Sequence, residues 1–209
     1  MTLKAAIFDW DGTITDSNNI KTEAFVELFQ SACPQAAGYI REYQQNRGGI
    51  SRFEKFRHYI RHFFHREASA AELEDFGRRY AAPCRPKLLN APFIPGAVET
   101  LRKLSLEKIP VFIVTGSPAT EIRELAAARN LLPLIHHIYG SPPTKDVLLA
   151  VLLAENRLVP EETVFFGDAP ADCEAARINK IPFIGICPSK KNSPFPPHTT
   201  VVSAIDLDI

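Results

Sequence analysis

Asp9 and Asp11 end the apolar run Ala5-Ala6-Ile7-Phe8 with one residue between them, and Gly12 and Thr13 follow at once. Carboxylates this close repel each other, so folding alone does not favour the pair. A cation, or a reaction that uses both groups, has to compensate. Asp168 and Asp172 in "GDAPAD" close a second apolar run and stand one helical turn apart. Four carboxylates offering only oxygen suit Mg²⁺, which keeps waters and substrate phosphate in its shell. Thr115 ends a third run, "PVFIVT", and Gly116-Ser117-Pro118 follows. Proline at the predicted first helical position leaves neighbouring backbone N–H groups free, which makes a seat for an anion. Lys145 opens a predicted helix after "SPPT", where a cation opposes the helix dipole at a cost of about 0.3–1 kcal/mol. A structural lysine would sit better elsewhere, so Lys145 joins the candidate site.

The elements that must hold these residues follow from the apolar periodicity. Runs that read as buried parallel strands cover 3–8, 110–115, 135–139, 163–167 and 182–186, with helical stretches at 96–106, 118–129, 145–156 and 171–179 between them. This alternation predicts an α/β fold, a doubly wound Rossmann-like parallel sheet. Asp9, Thr115 and Asp168 then all fall at carboxyl ends of strands, where open α/β sheets bind ligands. Residues 17 to about 90 carry no strand signal and read as four helices, roughly 18–31, 35–46, 51–65 and 69–81. The Pro-rich "APCRPKLLNAPFIP" is expected to lead back into the sheet. The expected organisation is a catalytic core of residues 1–16 and 91–209 with a helical cap of residues 17–90 inserted. The Pro-rich "CPSKKNSPFPPHTT" reads as a loop before a last short edge strand.

Composition limits the partners. A chain of 209 residues, 45% hydrophobic, can bury a full core as one large domain or as one domain plus an insert. Lys and Arg balance Asp and Glu at 24 each, so no overall positive field draws the chain to nucleic acid or an anionic membrane. Cys33, Cys84, Cys173 and Cys187 form no CxxC pair, and no apolar run reaches the roughly 18 residues of a spanning helix. Met1 leaves no room for a signal peptide before the first strand. A cytoplasmic protein with reduced thiols is expected.

With Asp9-Trp10-Asp11-Gly12-Thr13, Thr115, Lys145 and Gly167-Asp168-Ala169-Pro170-Ala171-Asp172 occurring in that order, the chain resembles the haloacid dehalogenase-like phosphohydrolase superfamily over most of its length. The position of the insert resembles the helical-cap subgroup of phosphoglycolate phosphatases and β-phosphoglucomutases. Lys145 is followed by Asp146 where many phosphatase relatives have proline. The resemblance implies a phosphatase acting on a small phosphorylated metabolite, with Asp9 as the nucleophile that forms an aspartyl-phosphate. Asp11 would protonate the leaving alcohol and then activate water. Mg²⁺ would be held by Asp9, the Asp11 carbonyl and Asp168, with Asp172 binding through water or orienting the site. Thr115, Gly116, Ser117 and Lys145 would hold the phosphate oxygens. The dehalogenase branch lacks the second aspartate, so dehalogenation is disfavoured. A phosphomutase is the runner-up, followed by a carbon–phosphorus hydrolase with Lys55 as its Schiff base and by non-catalytic phospho-accepting or binding modules.

Specificity is expected from "NRGGISRFEKFRHYIRHFFHR". Ser51-x-x-Glu54 reads as a capping box, which puts Arg52 and Lys55 in the first turn of a helix. The stripe Phe53, Phe56, Ile60, Phe63 would pack inward, leaving Arg52, Lys55, Tyr59 and His62 along another face. Between Arg41 and Arg66 seven Arg or Lys face two Glu. Such a cap suits an anionic substrate, with Arg52, then Lys55, contacting the leaving group. His58 and His62 have no carboxylate or cysteine beside them, so zinc is disfavoured. His136 and His137 are assigned no role, and Cys173 is read as a packed residue.

Overall fold

The computed structural model describes residues 3–188 and 193–207; the expected loop at 187–200 therefore lies partly outside the described residues. β1 (Ala5–Phe8), β2 (Val111–Pro118), β3 (His137–Ser141), β4 (Thr163–Gly167), β5 (Phe183–Ile186) and β6 (Thr200–Val202) form one sheet in the order β3-β2-β1-β4-β5-β6, and every pairing is parallel. Alternate residues of a strand point to opposite faces. Ala5 and Ile7 pack with Phe112, Val114 and Phe165 under α7 (Lys145–Asn156) and α8 (Pro170–Ile178). Ala6 and Phe8 pack with Ile113 and Phe166 under α5 (Ala97–Leu106) and α6 (Ala119–Ala128). Both faces are covered, which is why the strands read as unbroken apolar runs and why the sheet is doubly wound.

Between β1 and α5 the chain forms α1 (Asn18–Gln30), α2 (Ala36–Asn46), α3 (Arg52–Phe64) and α4 (Ala70–Leu89). Phe25, Phe29, Phe56, Tyr59 and Tyr80 are buried at their common core, with Phe29 stacked on Phe76 at 5.2 Å between ring centroids. The outgoing and returning segments are tied together: Asp16 N–H donates to Pro92 O at 2.8 Å and Ile94 N–H to Ile14 O at 3.0 Å.

Several boundaries differ from those expected. The fourth helix continues eight residues past 81, through Pro83 and Pro86, to Leu89. Each proline removes one backbone donor. Tyr80, Cys84 and Leu88, spaced four apart, are nevertheless all buried, and this stripe outweighs the local break. Ser51 caps α3 by accepting from Phe53 N–H at 3.3 Å, without the reciprocal Glu54 bond; the complete capping box is at Ser69 and Glu72 on α4. Pro118 precedes α6 as its N-cap instead of opening it. β3 starts at His137, two residues late, because a 3₁₀ turn at Leu132–Leu134 uses the preceding chain.

Candidate active site

β1 delivers Asp9 to the carboxyl edge of the sheet, where its N–H donates to Phe166 O at 2.8 Å. Gly12 then turns the chain at φ +78°, and a Cβ there would lie 2.2 Å from Asp168 Oδ2. Both the left-handed backbone and the close approach require glycine. The turn separates the two carboxylates. Asp9 Oδ2 faces Lys145 Nζ at 3.0 Å, whereas Asp11 is ion-paired with Lys21 and accepts from Ser17 Oγ at 2.6 Å and Ser117 Oγ at 3.2 Å.

Lys145, buried at the start of α7, also donates to Asp172 Oδ1 at 2.5 Å. The other oxygen of Asp172 accepts from Ala169 N–H at 3.0 Å. Asp172 thus fixes both the lysine and the first turn of α8. Asp168 Oδ2 accepts from Asn18 Nδ2 at 2.6 Å. Asp9, Asp168 and Asp172 each offer a carboxylate oxygen, and these atoms lie within 4.8 Å of one another.

Charge decides what this cluster needs. Of the four aspartates' charges, two are offset by ion pairing, with Lys145 and with Lys21, so two negative charges lack an ion-pair partner when all are ionised. Burial drives Asp9 well above the ordinary carboxylate range; Lys145 opposes this, and the neighbouring aspartates add to it. Asp168 is raised from 3.8 to about 7, first by burial and then by the Asp172 charge. Burial lowers Lys145, but Asp172 and Asp9 more than compensate and hold it charged. Burial also raises Asp11, yet the Lys21 charge and the bonds from Lys21, Ser17 and Ser117 leave it below its usual value. A hard divalent cation among the all-oxygen donors fits this deficit in charge and in donor type.

On β2, buried Thr115 accepts from Ser117 N–H through Oγ1 at 3.1 Å. Gly116 passes under the loop before α3, where a Cβ would lie 2.7 Å from Gly49 O. Gly49 has φ +79° and sits against Ala169 and Ala171. The Gly48-Gly49 loop thereby closes the helical layer onto the sheet edge. The cleft beneath it, a cavity of about 360 Å³, is lined by Asp9, Asp11, Lys21, Lys55, Ser117 and Asp168, among others. A larger groove of about 700 Å³ between α3, α4 and α6 shares Arg52 with this cleft but none of the four carboxylates.

Arg52 and Lys55 both reach the cleft, yet in different states. Arg52 donates to Glu121 Oε1 on α6 at 2.6 Å and lies over the Tyr80 ring at 4.9 Å. Lys55 donates to Gln44 Oε1 at 2.5 Å. The face expected to carry Arg52, Lys55, Tyr59 and His62 divides, because Tyr59 is buried and His62 is exposed against the Tyr39 ring at 3.9 Å. The other expected helical histidine, His58, stacks on Tyr43 at 4.2 Å. Lys21, Asn18, Gln44 and Glu121 are site residues that sequence reasoning passed over. The one signal available for the first two was Asn18-x-x-Lys21 just after the chain leaves β1, a spacing that puts both on one face of α1.

A doubly wound sheet gathers carboxylates, a lysine and a hydroxyl at one edge, and the sequence places the chain in a family of hydrolases. The model of the family described as haloacid dehalogenase-like hydrolase matches residues 3–178, and the chain belongs to that family. It is 24% identical over 184 residues, 81% of this chain and 75% of the relative, to a probable pseudouridine-5'-phosphatase of Drosophila melanogaster. It is 25% identical over 191 residues, 88% of this chain and 85% of the relative, to the validoxylamine A 7'-phosphate phosphatase of Streptomyces hygroscopicus subsp. limoneus. Among solved structures, β-phosphoglucomutase from Clostridium difficile superposes with a TM-score of 0.79 at 17% identity, covering 97% of this chain and 92% of that one. The last likeness shows the fold alone. No helix among the described residues is long and apolar enough to cross a membrane.

Proposed function

We propose that the chain is a Mg²⁺-dependent phosphatase that cleaves a small phosphate monoester through an aspartyl-phosphate on Asp9, with the helices of residues 17–90 as its cap. One observation carries this reading: the carboxylates of Asp9, Asp168 and Asp172 gather within 4.8 Å of one another beside the Thr115–Ser117 turn, and the lysine among them, Lys145, pairs with Asp9 and Asp172. Asp9, Asp168 and the Asp11 carbonyl would hold Mg²⁺, with Asp172 supporting them through Lys145 and Ala169. The ion would supply electrostatic stabilisation of charge on the transferring phosphoryl group.

Asp9 attacks phosphorus in line, the ester P–O bond breaks, and Asp11 gives its proton to the leaving oxygen. Thr115, the Gly116 and Ser117 amides and Lys145 bind the phosphoryl oxygens. In the second step Asp11 takes a proton from the water that hydrolyses the aspartyl-phosphate. Paired with Lys21, Asp11 is already in the ionised state that this base role requires. Before the first step it has to leave Lys21 and be protonated. Arg52 and Lys55 contact the leaving group from the cap side.

The test is phosphate release from a panel of phosphorylated metabolites with Mg²⁺ or with EDTA, alongside Asp9→Asn. The expected result is turnover that needs both the ion and Asp9. Full activity of Asp9→Asn, or turnover unaffected by EDTA, refutes the mechanism. Transfer of the group to a bound sugar in place of water would identify a mutase.

A further inference from the structure

The cations lining the cleft are not equivalent. Lys21 is matched by Asp11, Arg41 by Glu23 at 2.7 Å, and Arg52 by Glu121 at 2.6 Å. Lys55 faces the same cleft and is 7% exposed, yet among the described residues no carboxylate lies within ion-pair distance of it. Its hydrogen-bond partner there is the neutral Gln44 Oε1 at 2.5 Å, and the Phe25 ring lies 5.7 Å from its Nζ. An ammonium carries three donors, so Gln44 leaves two of them without a protein partner among the described residues. Burial and then the nearby Lys21 charge push Lys55 down to about 7. Buried charges are normally paired, because desolvating one alone is costly.

We propose that Lys55 is the specificity-determining residue, completed by an acidic group on the leaving-group end of the substrate. The natural substrate is then a phosphate monoester that carries a second anion, a carboxylate or another phosphate. This rests on the phosphatase reading above and names its substrate class. The catalytic edge of the sheet holds the first phosphate, while Lys55 projects from α3 on the cap side of the cleft. A cavity of about 360 Å³ is at the small end of ligand sites and suits a short molecule with an acid at each end. Gln44 orients the ammonium without neutralising it. Arg52 touches the same leaving group, but its charge is already paired with Glu121.

The test compares kcat/KM for three groups of esters: 2-phosphoglycolate and 3-phosphoglycerate with a carboxylate, propane-1,3-diol bisphosphate with a second phosphate, and glycerol 3-phosphate and propyl phosphate with uncharged leaving groups. The wild-type chain should prefer at least one doubly acidic group by tenfold or more, and the preferred group tells carboxylate from phosphate. Losing one side of a buried charge pair typically costs about 30-fold or more, so Lys55→Met should cut that preference by roughly that factor, through KM. Gln44→Glu keeps Lys55 but gives it a permanent counter-charge, and should cut the preference at least tenfold; it decides the matter where Lys55→Met does not fold. An unchanged preference in the folded variants, or a wild type that favours uncharged leaving groups, overturns the assignment of Lys55. No phosphate release from any ester refutes the phosphatase reading itself.

Discussion

Replacing Asp168 by Asn should stabilise the metal-free protein while abolishing its activity. Asp168 sits against Asp172, and burial together with that charge raises it from 3.8 to about 7. A carboxyl group raised in the folded state contributes stability that is full below about pH 4 and is lost as pH climbs through about 7. At 1.36 kcal/mol per pH unit, keeping Asp168 ionised at pH 8 costs about 4 kcal/mol. Solvent at the cleft mouth and side-chain relaxation reduce this to about 2 kcal/mol. Asn keeps the shape and can still accept from Asn18 Nδ2, but it carries no charge. In a domain of this size about 2 kcal/mol is about 4–8 °C in Tm. The assay is thermal melting of both proteins at pH 5 and pH 8, in EDTA and in Mg²⁺. At pH 5 in EDTA the variant's lead should shrink to under half of its pH 8 value, because folded Asp168 is then protonated and pH 5 lies only about one unit above its unfolded value. At pH 8 in EDTA the variant should melt higher. Mg²⁺ at about 100 times its Kd should add about 2.7 kcal/mol to the wild type and much less to the variant. Equal melting at pH 8 in EDTA, or equal gains from Mg²⁺, would refute the reasoning that unmatched charge defines the site.

Lys145→Met leaves Asp9 and Asp172 facing each other with no ammonium between them. Breaking a buried pair costs about 3–5 kcal/mol, which predicts a Tm lower by roughly 6–20 °C and a smaller loss in the double variant Lys145→Met/Asp172→Asn. Gly49→Ala places a side chain at φ +79°, with its Cβ 3.0 Å from the Ala169 Cβ. The left-handed conformation costs about 1–2 kcal/mol; the loop over Gly116 should lift, and kcat/KM should fall about tenfold while Tm falls only a few degrees.

The order of apolar runs was enough to place Asp9, Thr115, Lys145 and Asp168 at one sheet edge, because a parallel strand buried on both faces has an unmistakable run of apolar residues. The length of β4 and of α7 was legible to the residue. The end of α4 was not, since Pro83 and Pro86 are local breakers and the burial of Tyr80, Cys84 and Leu88 that overrides them is a tertiary fact. The partners of the site were hidden for the same reason. Lys21 and Asp11 are ten residues apart, Asn18 and Asp168 are 150, and Arg52 and Glu121 are 69; periodicity carries no information about such pairs. Sequence by itself determined which residue types stand at the strand ends, because side-chain type and strand position are local properties. Only the tertiary structure decided how charge is shared among them. It gives Asp11 its own lysine, pairs Asp9 and Asp172 with another and Asp168 with Asn18, and turns Arg52 toward Glu121 while Lys55 bonds to the neutral Gln44. Pairing depends on which side chains folding brings within a few ångströms, and on burial that makes an unmatched charge costly.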